Sequence, residues 1–466
     1  MEVHTPGDVQ KNTQFEYVDC ENEKKMEKEK VLERTSSLLQ TKSFSDVTFI
    51  VGPSTSSKKY VGHKVLLAMA SPVFEAMFCG DMADKSKVIR VSDIAPIGFE
   101  NLLRYAYTDA LNLQSVEDAI LTATAAKKYL LPHLLRECFN FIERNVTPQT
   151  VCQVLEFANM MEAHHLTYQC LNIIDRQTYH VITSPDFSDV SLSVLETIVH
   201  RRHLNLHSEY SLYNAIYMWG KEECKRRFVE SDIDNIRNIL NSTLPYIRFL
   251  TMTSEEFCKG PAKSGLLSKD ECLGVFMNLA IPRIVTMPLG LSTETDKRTS
   301  PPEYFVCCLY KPLSYHTPVR PLRIFGVTFR VTNMDVFVVG LGLPIRLDVS
   351  YYSIRQPKVE GLLRCTYGLH EDRPNKEEIA VNFVLSKGKD VKIMFRKPLF
   401  VHKSMQYIIE LKTTSPLTED AIAPIIRDRK RDVKVEDVSF QLLPFQSESH
   451  PRKAEVMEFS EIFFYI

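Results

Sequence analysis

Across 466 residues the chain holds one tryptophan, Trp219. It has no apolar run approaching the roughly 20 residues that a membrane-spanning helix needs. The opening segment MEVHTPGDVQKNTQF lacks the apolar core of a secretory signal. The cytoplasm is therefore the expected location, with the nucleus as the second compartment. Charge of one sign is lacking too. Lys and Arg number 57 against 58 Asp and Glu, for a formal net charge of −1. Bulk charge gives no pull toward nucleic acid or an anionic membrane, and neither is expected as a partner. The eleven cysteines never form a C-x-x-C pair, and adjacent Cys307 and Cys308 are poorly placed to share a metal or bond each other. Free thiols in a reducing compartment are the simplest reading.

Catalytic signatures are also missing. The chain has no phosphate loop, no G-x-G-x-x-G, no G-x-S-x-G, no H-E-x-x-H and no zinc-finger spacing. A non-enzyme with no catalytic residue, no cofactor and no metal is expected. Two segments could suggest otherwise. In HRRHLNLH, His200, His203 and His207 have the spacing to line one helix face, as metal ligands can. No cysteine or carboxylate completes the set, and Leu204-Asn205-Leu206 reads as a helix end, so surface histidines are favoured. His164 and His165 point about 100° apart on a helix, which suits one core and one surface residue. RDRKRDVK (427–434) is basic enough for a nuclear-import signal, but its interleaved aspartates favour a solvated loop.

What is present is patterning. Length allows two to four domains of about 150 residues. Residues 1–30 are polar and end in a mixed-charge run, so a solvated helix or disordered tail is expected. FSDVTFIV places Val47, Phe49 and Val51 on one strand face, GPSTSS is a turn, and KKYVGH is the second strand of a hairpin. HKVLLAMASPVFEAMF (63–78) follows: two short apolar helices, Lys64 to Ala70 and Pro72 to Phe78, around a Ser-Pro break. VIRV (88–91) is a third strand. Residues 96–108 are helical, and a further helix over 115–131 starts on Ser115 and Asp118, with Leu130 on its apolar stripe. From 147 to 285 the period is helical throughout, with Thr147 as N-cap, Pro148 at the first helical position, and a capping box at Thr253 and Glu256. MPLGLSTETDKRTSPPEY (287–304) reads as an exposed linker. Beyond it the period becomes two: Val327, Phe329 and Val331; Val391, Ile393 and Phe395; Tyr407, Ile409 and Leu411; then IFFYI. Short alternating strands predict a β-sandwich. The fold class is α+β multidomain: a tail (1–30), an α/β domain (31–146), an all-α domain (147–285), a linker (286–304) and an all-β sandwich (305–466).

FSDVTFIV, VGHKVLLAMASPVFEAMFCGDMAD and VIRVSDIAPIGFENLLRYAYTDAL closely resemble the BTB (POZ) domain. LPYIRFLTMTSEEFCKGPAKSGLLS (244–268) resembles the BACK helical domain. FRVTNMDVFVVGLGLPI and SEIFFYI resemble a PHR β-sandwich, although its glycine-rich and Trp-containing strand segments are missing. The resemblance implies that Ser71-Pro72 separates a packed helical hairpin. It also implies that the polar turn after the hairpin binds cullin-3. The family motif there is a hydrophobic residue, any residue, then Glu, and here Met82-Ala83-Asp84 stands in its place. Phe78, Met82 and Asp84 are the implied cullin contacts, and the helices from Thr147 to about Asp175 extend that groove. A homodimer is implied, with Leu32, Leu38, Leu39 and the charged pair Asp46 and Lys64 at its interface. The implied function is a substrate-recognition adaptor of a cullin-3-RING ubiquitin ligase, holding an unidentified protein substrate on the sandwich. The alternative is a BTB-dimerising scaffold or transcriptional cofactor that binds no cullin.

Overall fold

The computed structural model describes residues 30–79, 86–310, 316–318, 324–343, 345–347, 358–368, 375–384, 391–413, 421–424, 430–443 and 456–466. The chain divides into two compact units, Met1–Val146 and Thr147–Ile466. The tail, apart from Lys30, lies outside the described residues, as do Met82 and Asp84.

The first unit comprises α1 (Val31–Thr41), β1 (Val47–Val51), β2 (Lys58–Gly62), α2 (Lys64–Ala70), α3 (Pro72–Cys79), β3 (Val88–Val91), α4 (Pro96–Thr108), α5 (Val116–Lys128) and α6 (Pro132–Asn145). β1 is central, antiparallel to β2 and parallel to β3. Its alternating Val47, Phe49 and Val51 are all buried. They meet an aromatic core in which Phe74 stacks on Tyr129 at 4.2 Å and Phe49 lies 5.0 Å from Phe99. Fully burying one such ring stabilises the fold by about 1.5–3 kcal/mol.

Ser71 makes the Ser-Pro break. Its N–H donates to Leu67 O at 3.0 Å, closing α2. Its hydroxyl donates to Tyr129 O at 2.6 Å and accepts from Phe74 N–H at 3.3 Å, opening α3. Pro72 then costs no hydrogen bond, because the first N–H groups of a helix have no partner within it. α4 and α5 touch at Gly98, where a Cβ would lie 2.3 Å from Leu121 O, so only glycine fits. The expected helix over 115–131 stops at Lys128. Leu130 takes φ +51 and is 58% exposed instead of joining the apolar stripe. The physical reason is Pro132: it disfavours helical geometry at Leu131 and starts α6 itself.

The helical part of the second unit comprises α7 (Val151–Met161), α8 (His164–Arg176), α9 (Thr178–Ile182), α10 (Leu192–His200), α11 (Glu209–Arg226), α12 (Ile233–Leu240), α13 (Ser254–Phe257) and α14 (Lys269–Ala280). α7 does not begin at Pro148, as its sequence suggests. Thr147 O accepts from Thr150 N–H at 3.1 Å in a separate turn, and helix starts only at Val151. Thr253 with Glu256, and Ser268 with Glu271, form capping boxes. Trp219 is buried, its indole N–H donating to Val190 O at 2.9 Å.

The strands are β4 (Phe305–Cys308), β5 (His316–Pro318), β6 (Ile324–Val331), β7 (Val336–Leu343), β8 (Arg346–Leu347), β9 (Lys358–Gly368), β10 (Asn375–Val384), β11 (Val391–Val401), β12 (Gln406–Thr413), β13 (Ala421–Pro424), β14 (Asp432–Val435), β15 (Val438–Leu443), β16 (Val456–Glu458) and β17 (Glu461–Tyr465). One antiparallel sheet runs β10-β9-β12-β6-β15-β14, with β16 added parallel to β6. The facing sheet runs β11-β7-β17-β4, and β5-β13-β8 form a small third sheet. The core between the two large sheets includes Val327 and Phe329 of β6, Tyr407 and Ile409 of β12, and Ile462 and Phe464 of β17. Period two predicts one buried face, but every residue of β7 is buried. Its other face is covered as well: Phe337 packs 5.3 Å from Tyr168 of α8.

Residues 286–304 carry no helix or strand. They are not uniformly exposed, however: the Arg298 side chain is 3% exposed.

Candidate protein-interaction site

The α2–α3 hairpin builds the first candidate surface. Phe78, in the last turn of α3, is half-buried and stacks on Phe74 at 5.8 Å. The Lys64 ammonium sits over its ring, 5.5 Å from the ring centre. Lys64 in turn meets Asp46, but through its backbone: Asp46 Oδ1 accepts from Lys64 N–H at 2.8 Å. The expected charged pair is thus a helix cap, with the ammonium diverted to an aromatic face. The structure brings Asp46, Lys64 and Phe78 into one chain of contacts. Residues 80–85 follow directly, outside the described residues.

Helix α1 builds the second surface. None of its residues is buried, although it carries Val31 and three leucines. Leu32 is 50% exposed, while Leu38 and Leu39 are half-buried. Leu32 and Leu39 line an open groove of about 800 Å³ together with Arg104 of α4. Thr35 ties the helix down, donating to Tyr107 O at 2.6 Å. Tyr107 also organises a residue that sequence reasoning missed. Its hydroxyl lies 2.7 Å from His63 Nδ1 and accepts from His63 N–H at 2.8 Å, while His63 Nε2 reaches Ser43 O at 2.6 Å. Burial pushes the Tyr107 hydroxyl up to about 12, so it remains protonated. The adjacent Lys64 drew attention in the sequence, but nothing local marks His63 as a three-way junction.

The histidine run does not form a metal face. α10 ends at His200, and His203 and His207 lie in the following loop. His207 is exposed, but His203 is half-buried against Phe305, 5.4 Å away, with no hydrogen-bond partner for either ring nitrogen. Burial holds its pKa below the ordinary value. The expectation of surface histidines therefore fails at His203. Neither His164 nor His165 is fully buried, and the His164 ring stacks on Phe400 of β11 at 3.8 Å. Among the described residues no group of three or more His, Cys, Asp or Glu is arranged to hold a metal. Burial pushes the Cys138, Cys152 and Cys307 thiols up to about 12, so none is a thiolate nucleophile at neutral pH. In the basic run, Arg427 and Arg429 lie outside the described residues. Lys430 is half-buried, its ammonium donating to Cys308 O at 3.1 Å, and 432–435 are strand, where a loop was expected.

A three-stranded sheet with a Ser-Pro helical hairpin, continued by paired helices, defines a class of protein-interaction module. Residues 35–146 match the family model of the BTB/POZ domain, and residues 151–259 match that of BTB And C-terminal Kelch, the BACK domain. The chain belongs to the BTB–BACK proteins. It is 37% identical over 245 residues to BTB/POZ domain-containing protein 6 of Xenopus laevis, covering 53% of this chain and 46% of that one. It is 35% identical over 247 residues to BTB/POZ domain-containing protein 3 of Homo sapiens, covering 53% and 47%. With human BTB/POZ domain-containing protein 6 the match is 35% over 317 residues, covering 67% and 57%. The chain thus spans about half the length of these curated relatives. Neither family match extends past residue 259.

Proposed function

We propose that the chain is a substrate-recognition adaptor of a cullin-3-RING ubiquitin ligase. The BTB unit dimerises and, with α7 and α8, engages the cullin. The sandwich, PHR-like in this reading, holds the substrate protein, and other subunits perform the ubiquitin chemistry. The adaptor raises the effective concentration of substrate at the transfer site. The observation that carries the reading is the half-exposed Phe78 at the end of α3, four positions before Met82 in the chain, within a BTB domain followed by BACK helices. In α1, a helix with no buried residue supports dimerisation through Leu32, Leu38 and Leu39.

Calorimetry of the intact chain with the cullin-3 N-terminal region tests the adaptor reading. Burying one methionine is worth about 1.5–3 kcal/mol. Met82→Ala should therefore weaken binding about tenfold or more, at ~1.4 kcal/mol per decade. Met82→Glu should weaken it further, because a carboxylate would be buried unpaired. Asp84→Glu, which restores the family residue, should hold or raise affinity. Micromolar binding untouched by both Met82 changes removes this turn as the contact. A second reading, a dimerising scaffold or transcriptional cofactor without a cullin, is favoured by the shorter Asp84 where the family has Glu. Absence of any binding by the wild type selects it.

A further inference from the structure

Within the second unit, helices and sandwich meet across a seam that carries charge. Asp175, near the end of α8 and 1% exposed at its side chain, accepts from Arg201 Nε, from Arg201 Nη2 at 2.5 Å, and from the Tyr465 hydroxyl of β17. Arg201 Nη2 also donates to Ile466 O at 2.7 Å. Burial works against the Arg201 charge, but Asp175 and Tyr465 more than offset it, so its pKa stands above the ordinary value. Next to it, Arg202 reaches Asp437 at 3.0 Å and Glu436 at 3.5 Å, in the turn between β14 and β15.

Residues 286–304 enter the same network. Arg298 Nε donates to both Glu209 carboxylate oxygens, at 3.2 and 3.1 Å, and the Glu209 side chain is 2% exposed. Arg298 Nη1 donates to Arg201 O, and Nη2 to Tyr246 O at 2.7 Å. Arg248 holds the segment a second time through Asp296 O at 2.8 Å, and Arg176 a third time through Pro302 O at 3.0 Å.

We propose that residues 286–304 are a latch, not a tether: Arg298, seated on Glu209, locks the sandwich to the helical domain as one rigid body. Arg201 is the shared joint, since its backbone carbonyl is held by Arg298 while its guanidinium holds Asp175 and β17. Removing Arg298 frees the Arg201 backbone and so loosens the grip on β17. It also leaves the Glu209 carboxylate buried without its countercharge, which is costly. The purpose of the lock rests on the adaptor reading: a rigid body presents a bound substrate at a fixed distance from the cullin end. Its existence does not depend on that reading.

Hydrogen exchange on the full chain, without cullin, tests the latch. Arg298→Ala should raise exchange about tenfold at the amides of 461–465, in addition to its own neighbourhood, because local opening free energies report such coupling. Coupling is reciprocal, so Tyr465→Phe should raise exchange at the Arg248 amide, which donates to Glu209 Oε1 at 3.0 Å. Arg298→Lys, which keeps the charge but loses the planar fork, should fall between wild type and alanine. It remains informative should the alanine variant fail to fold. Unchanged exchange at 461–465 in both Arg298 variants, with exchange rising only around residue 298, overturns the latch. Cullin titration of the same variants reports separately on the adaptor reading.

Discussion

The two units hold themselves together by different physics. The BTB unit is centred on an aromatic cluster of Phe49, Phe74, Phe99 and Tyr129, with Phe78 at its rim. The second unit has an apolar sandwich core as well, and aromatic contacts such as Tyr168–Phe337 join its helices to its strands, but the Asp175–Arg201 pair with Tyr465 also crosses that seam and Glu209–Arg298 anchors residues 286–304 beside it. An aromatic cluster loses contact energy gradually when it slips, since each atom pair contributes only about 0.1–0.2 kcal/mol. A buried guanidinium–carboxylate pair does not, since misplacement leaves a charge uncompensated. The first unit is therefore built for stability, and the seam of the second for register.

The largest expected effects are similar in size and differ in rescue. Phe74→Ala should destabilise the BTB unit by about 3–5 kcal/mol through cavity formation. Asp175→Ala should cost the second unit about 3–5 kcal/mol by stranding Arg201. Pairing Asp175→Leu with Arg201→Met should recover most of that loss, since apolar replacement of both ionic partners is often neutral or stabilising. Denaturant unfolding of all variants checks the contrast. A double variant no better than Asp175→Ala would mean the seam depends on packing around Asp175 and not on charge.

A smaller effect concerns the second unit and pH. His203 and His164 have pKa values lowered mainly by burial, opposed at His203 by Glu436 and Asp175 and reinforced by Arg202 and Arg201. At His164, His402 reinforces the lowering while Glu162 and Asp335 oppose it. Their unfolded counterparts titrate near ~6.5, so below that value the unfolded chain binds more protons than the folded one. Stability of the second unit should fall as pH drops from about 6.5 through the lower folded values. Thermal melts at neutral and mildly acidic pH should show this, and His203→Gln should remove part of the dependence. An identical pH response in the variant would clear His203 of any role.

Much of the fold was legible because its signals are local. Pro96 and the apolar spacing after it give α4 its limits, and Ser71-Pro72 marks the hairpin break. Where signals compete the reading slips, as at Leu130, where the apolar stripe runs on past the end that Pro132 imposes. The site was legible only in part. Asp46 and Lys64 do meet, but as a carboxylate and a backbone N–H and not as paired charges, and such a contact leaves no trace in residue type. Arg298 was invisible for a different reason. Its segment is rich in Pro, Ser and Thr, and the carboxylate that buries it lies at residue 209.

The position of β17 carries a consequence for synthesis. It lies between β7 and β4 in its sheet, with more than a hundred residues separating it from the end of β7. As the chain emerges from the ribosome, β4 and β7 must wait, their facing backbone groups unpaired, until residues 461–465 arrive. Such non-local closure is slow, and open strand edges recruit other chains meanwhile. A chain stopped before Glu461 should therefore sediment as aggregate, not as a soluble protein missing one strand. Recovery of that truncated chain as a soluble species of unchanged size would show that the sheet can close without it.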